Sequence, residues 1–209
     1  MSAVAESHQA YDLGDIPLIV RSSIKLGIIT AIVVFAFSLV SRYLDGTVEV
    51  ALEALLLVAG VALVAGLPAV WTKARTGAGI ANAAGVGLGA TMAFMAIDVI
   101  LLQRIGTYTN RWLEIGGGSN WWYHPVWWMT GTFLAWMGAI ILANQTSGTD
   151  SPSIPRMMIT AVVFGVVVGA AAAIIGFPGA AWSFPTFGIA LLPGFAIAAL
   201  FSTMGRRPA

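Results

Sequence analysis

Long apolar stretches separated by short polar breaks run through the chain. A helix crosses the hydrocarbon core of a bilayer with roughly 20 mostly apolar residues. The stretches that qualify cover residues 24–44, 47–70, 79–102, 125–144, 157–177 and 187–204. The breaks hold residues that favour turns and loops, such as Asp45-Gly46 and the Ser/Thr/Pro/Gly/Asp segment 146–155. The pattern predicts an all-α integral membrane protein, a bundle of six transmembrane helices.

The first and last segments need separate treatment. The first helix is expected to begin before residue 24, because Asp15 can act as its N-cap and Pro17 is tolerated in a first turn. The last segment is barely long enough to span and contains Pro193-Gly194. Five spanning helices plus a re-entrant or kinked last segment is therefore the alternative.

The composition agrees with a protein that faces lipid. Hydrophobic residues make up 58% of the chain, charged residues 9%, and the mean hydropathy is +0.88. A soluble domain carries about 25% charged residues. The net charge of +1 provides no basic face for nucleic acid, and the lack of cysteine excludes disulfides and thiolate chemistry. We expect one transmembrane domain over residues 15–205, with short cytoplasmic tails at 1–14 and 206–209.

The positions of lysine and arginine near the helix ends predict the orientation. If the N-terminus is cytoplasmic, the other side receives only Arg42, Arg104 and Arg111. The cytoplasmic side then collects Arg21, Lys25, Lys73, Arg75, Arg156, Arg206 and Arg207. This bias predicts that both termini are cytoplasmic, in what we expect to be a bacterial inner membrane.

Small residues recur every fourth position in two of the segments. The third carries Gly77, Ala81, Gly85, Gly89 and Ala93, and the fifth carries Ala161, Gly165, Gly169 and Ala173. This spacing puts them on one helix face, where another backbone can approach closely. Packing within the bundle is the simpler interpretation. Docking on a partner subunit, a flat pigment or a lipid is the alternative.

An aromatic cluster surrounds His124-Pro125 at the start of the fourth segment. Its other members are Trp121, Trp122, Tyr123, Trp127 and Trp128. Such rings favour the lipid headgroups and would form an interfacial belt. The cluster is also dense enough to serve as an interface platform for another protein or a ring-shaped ligand. In a third interpretation His124 is an axial ligand of a haem or chlorin.

Three acidic residues fall within the apolar segments. Asp98 lies in the third, and Glu49 and Glu53 lie one turn apart in the second. An ionisable residue in a span is a functional candidate by default. They could form structural pairs with Arg104, which we name as the partner of Asp98, or with Arg42 or Arg111. The alternatives are a path for a solute or proton, and simple extension of the side chains to the interface.

The function remains a choice between hypotheses of different classes. No metal-protease, P-loop or dinucleotide-binding motif is present, which favours a non-catalytic role. We expect an accessory or scaffold subunit of a respiratory, photosynthetic or membrane-oxidase complex, with the bilayer and other membrane subunits as partners. A small transporter or channel that uses Asp98, Glu49, Glu53 and Arg104 is the alternative. Lipid is the expected bound molecule, and a tetrapyrrole or carotenoid is a further candidate.

The orientation can be tested by cysteine labelling, with no background because the chain has no cysteine. Cysteines at Thr76, Ser147 or Arg207 should be protected from an impermeant thiol reagent in intact cells. Cysteines at Gly117 or Ala181 should react. Labelling of positions 147 and 117 from the same side would contradict a six-helix topology.

Overall fold

The computed structural model describes residues 15–108, 123–145 and 152–204, and within them the only regular structure is helical. The six long helices are α1 (Ile16–Tyr43), α2 (Gly46–Trp71), α3 (Gly77–Ile97), α4 (Tyr123–Gln145), α5 (Ile154–Ile174) and α6 (Phe184–Met204). A π-helical turn, Asp98–Leu102, extends α3. All six are long and apolar enough to cross a membrane, which confirms the predicted membrane bundle.

The two doubtful segments both form complete helices. The helix α1 begins at Ile16, and an Asp15 carboxylate oxygen accepts the Leu18 N–H at 3.0 Å, as the capping residues predicted. The helix α6 runs unbroken for 21 residues with Pro193 inside it. It therefore has the length of a span rather than of a re-entrant segment.

The helix α2 contacts each of the other five helices. Those five are neighbours in the order α1, α3, α4, α6, α5, with the most extensive packing between α5 and α6 and between α1 and α3. Side-chain hydrogen bonds join some of these pairs. The Ser23 hydroxyl of α1 donates to the Val86 carbonyl of α3 at 3.3 Å, and the Asn144 amide of α4 donates to the Ser202 hydroxyl of α6 at 3.0 Å.

Glycines set the distance between α5 and α6. Gly165 and Gly169 are both buried, and a Cβ on Gly165 would lie 3.3 Å from the Ala190 carbonyl oxygen of α6. From the other side, a Cβ on Gly194 would lie 2.6 Å from both the Ala161 carbonyl oxygen and the Gly165 nitrogen. The small-residue face of α5 thus lies against a glycine of α6, backbone to backbone.

The small-residue face of α3 is only partly used inside the bundle. Gly89 lies against Ser23 of α1, but a Cβ on Gly85 would meet nothing nearer than the Ile19 side chain at 4.0 Å. Gly77 and Ala81 are exposed. Gly87, outside the four-residue repeat, packs as closely on α4 as Gly89 does on α1.

Two glycine-to-alanine substitutions should separate these environments. Gly194→Ala forces the backbones of α5 and α6 apart and should lower stability by about 1–3 kcal/mol, as overpacking does in dense cores. Gly85→Ala, the matched control, has room and gains helix propensity, so it should be neutral or slightly stabilising. Thermal unfolding in detergent measures both, and equal melting temperatures would contradict the close approach at Gly194.

Candidate functional site: the Asp98 cluster and the adjoining cavity

Asp98 is the most deeply buried charged residue that the structure describes, with 1% of its surface exposed. Its two carboxylate oxygens accept separate hydrogen bonds. The Gln103 side-chain amide donates to one at 2.7 Å, and the Tyr108 hydroxyl donates to the other. A carboxylate in a low-dielectric interior is stabilised by donors of this kind, because each compensates for lost water.

The π-helical turn explains how Gln103 reaches Asp98. In an α-helix, residues five apart are separated by about 140° around the axis and do not share a face. Here the Gln103 N–H bonds to the Asp98 carbonyl at 2.9 Å, five residues back, and the Thr107 N–H bonds to the Leu102 carbonyl at 3.0 Å in the same way. The wider turn places position 103 over position 98. Such π-helical turns are frequent at functional sites.

A sharp bend after this turn returns Tyr108 to the same carboxylate. Gly106 has a φ of +69°, a conformation that glycine adopts at no steric cost. The Arg42 guanidinium of α1 donates a hydrogen bond to the Gly106 carbonyl and so ties the bend to the bundle. Arg42 therefore supports the Asp98 cluster through the backbone.

The arginine named as the partner of Asp98 lies elsewhere. Arg104 is exposed, and the hydrogen bonds described for the Asp98 carboxylate come from Gln103 and Tyr108 instead. Arg111 is outside the described residues. The sequence does place the Gln103 amide five residues after Asp98. This spacing indicates a hydrogen bond only if the helix forms a π-helical turn at that point.

Glu49 and Glu53 form a separate acidic pair on α2. Both are buried, with 4% of their surface exposed, and both have interaction partners. No hydrogen bond in the described part of the chain connects either of them to Asp98. The predicted cluster of Asp98, Glu49, Glu53 and Arg104 is thus not one hydrogen-bonded unit within the described residues.

Of the aromatic cluster around His124-Pro125, the structure describes the side chains of Trp127 and Trp128, which lie in different environments. The Trp127 ring packs on Phe94, with centroids 5.7 Å apart, and faces the interior. Trp128 is 46% exposed. Trp121 and Trp122 lie outside the described residues, as do the side chains of Tyr123 and His124. Trp127 therefore belongs to the bundle interior, and the proposed platform retains Trp128 among its described members.

An apolar cavity of about 210 Å³ lies between α1, α2, α3 and α4. Its lining falls in residues 26–37, 56–64, 87–94 and 127–134, one range from each helix. Phe94 and Trp127 line it, and the apolar cluster that contains Phe94 also packs against Tyr108. The cavity and the Asp98 cluster are therefore neighbours that share one layer of aromatic rings.

The middle of α2 borders the cavity and is only partly buried, although Gly60 lies close to the Val33 side chain of α1. The buried residues of α2 are Glu49 and Glu53 near its start and Ala65, Gly66, Pro68 and Ala69 near its end. None of the residues between them, including Leu57, Gly60 and Val61, is fully buried. Near the end of α2, Gly138 of α4 touches the Ala65 backbone, so α2 and α4 meet closely there.

Leaving such a space empty is costly. A sealed cavity in a protein core costs about 24 cal/mol per Å³, so the partly open space of 210 Å³ here would cost at most about 5 kcal/mol if nothing filled it. No feature of the sequence predicted this space, because it results from the relative placement of four helices.

The described residues provide no set of ligands for a metal ion. They contain no group of three or more His, Cys, Asp or Glu side chains that could hold a metal ion. The chain matches no known protein family, no curated protein and no solved structure.

A double-mutant cycle tests the Asp98 cluster. Asp98→Asn should lower stability by about 1.5–3 kcal/mol, the range for hydrogen bonds to a charged group. Tyr108→Phe removes one donor and should cost a similar amount in the wild type, but less when Asp98 is already asparagine. Denaturation of the four proteins in detergent measures the coupling, and strictly additive losses would contradict a direct bond.

Proposed function

We propose that this protein is a non-catalytic accessory or scaffold subunit of a multi-subunit membrane complex of the respiratory, photosynthetic or membrane-oxidase kind. The observation that supports it best is the part of the small-residue face of α3 that no other helix of the bundle covers. In the first half of that helix, Gly77 and Ala81 are exposed and Gly85 is half-buried with space around it.

The exposed face of α5 differs from the exposed small-residue positions of α3. The exposed face of α5 carries large β-branched residues, Ile159, Val163 and Val167. Such side chains suit a face that meets lipid tails. Glycine and alanine bring little van der Waals contact with lipid, but they let a second helix approach closely. A partner helix would therefore gain more from the α3 face than lipid would.

The polar contacts inside the bundle support a structural role. Asp98 accepts from Gln103 and Tyr108, and Ser23 and Asn144 each join two helices of the chain. These groups satisfy one another, as lipid-embedded groups must. A polar solute, by contrast, needs groups that exchange partners as it passes.

A small transporter or channel is the second candidate, and the burial of Asp98 is the observation that favours it. Ionisable residues in spans mark ion and proton paths in many membrane proteins. The Asp98→Asn variant distinguishes the two. Retained stability with lost ion or solute flux in liposomes supports transport, whereas lost stability without any wild-type flux supports the structural role.

The accessory role predicts a partner that depends on the α3 face. The tagged chain, isolated from its native membranes in mild detergent, should carry at least one membrane subunit in fixed stoichiometry. Ala81→Leu should weaken this association about tenfold or more, because a loss of about 1.4 kcal/mol has that effect. Val163→Leu, which adds a methylene to the exposed face of α5, is the matched control and should retain the partner.

Quantitative mass spectrometry of bands from a native gel measures the ratio of partner to chain. The folded state of each variant is checked by its melting temperature. A wild-type chain that migrates alone, or a folded Ala81→Leu variant with full partner retention, would contradict the proposal.

A further inference from the structure

The cavity between α1, α2, α3 and α4 has a depth, a shape and a chemistry that together indicate an occupant. Its lining lies within the apolar parts of four spanning helices, and it is partly open rather than sealed. At that depth the bundle is surrounded by the hydrocarbon tails of the bilayer. Whatever enters from outside the bundle at this level is therefore hydrocarbon.

The cavity is long for its volume. At 1.5 Å per residue, the lining ranges extend about 10 Å along α3 and α4 and about 16 Å along α1. A space of about 210 Å³ that runs along four helices suits a flexible hydrocarbon chain, which can follow its length.

The lining is mostly apolar, and two of its three threonine hydroxyls donate within their own helices. The Thr30 hydroxyl donates to the Leu26 carbonyl at 2.9 Å, and the Thr91 hydroxyl donates to the Gly87 carbonyl at 3.0 Å, each within its own helix. The remaining lining is mostly aliphatic and aromatic, including Val33, Val61 and Phe94. An apolar cavity of this size excludes water but accepts apolar ligands.

We infer that this cavity binds one acyl chain of a bilayer phospholipid, whose headgroup stays outside the bundle. The inference does not depend on the accessory role, because a chain that works alone could hold the same lipid. The bound chain would contact the part of α2 between residues 56 and 64, which is only partly buried.

Native mass spectrometry tests the inference on the full chain. The protein is stripped of lipid by detergent washing and then incubated with palmitoyl-oleoyl-phosphatidylglycerol. The wild type should retain one phospholipid per chain. Val61→Phe and Thr130→Leu place larger side chains in the cavity and should each reduce retention about tenfold, whereas Val163→Phe on the exposed face of α5 should leave it unchanged.

Stability gives a second readout of the same variants. Without lipid, the two cavity-filling variants should melt at a higher temperature than the wild type, because they supply the missing contacts. With lipid present, this advantage should disappear. Failure of the wild type to retain lipid, or full retention by folded filling variants, would overturn the inference.

A photoreactive phospholipid with a diazirine on its acyl chain locates the bound chain in the wild type. This measurement needs no variant, so it does not depend on how the variants fold. In the wild type, adducts should appear on residues 56–64 and 127–134. Adducts restricted to outward-facing positions such as Val163 would overturn the inference. A retained molecule that absorbs visible light or has the mass of an isoprenoid would overturn the assignment to phospholipid.

Discussion

The requirement that a buried charge find its hydrogen bonds inside the protein governs the end of the bundle at which Asp98 lies. In hydrocarbon no water supplies donors, so the Asp98 carboxylate must obtain them from the chain. The helix α3 widens into a π-helical turn that brings in Gln103, and the chain then bends at Gly106 to return Tyr108. Arg42 holds that bend from α1. One carboxylate thus explains the irregular helix end, the bend and an interhelical contact.

Packing elsewhere follows from a different constraint, the distance at which two backbones can meet. Glycines let α5 and α6 touch at Gly194, and let α4 reach α2 at Gly138. The cavity between α1, α2, α3 and α4 lies beside the middle of α2, which is only partly buried.

The sequence was sufficient for the features that depend on local chemistry. Apolar length identified the six helices, and Asp15 with Pro17 predicted that α1 begins before its apolar core. The repeat in α5 indicated the face that packs on α6. The same repeat in α3 did not distinguish Gly89, which touches α1, from Gly85, which has open space, because spacing alone does not show where a neighbouring helix lies. The bond between Gln103 and Asp98 likewise could not be predicted from the sequence, because residues five apart meet only when the helix departs from α geometry.

The cavity between α1, α2, α3 and α4 also affects how the protein responds to pressure. A space of 210 Å³ per molecule amounts to about 126 mL per mole, whereas unfolding typically changes protein volume by about 20–100 mL/mol, a quantity that scales with the internal void that is lost. An empty bundle would therefore be unusually sensitive to compression, and one filled with hydrocarbon would not. The volume change of unfolding is thus a physical measure of what the four helices enclose.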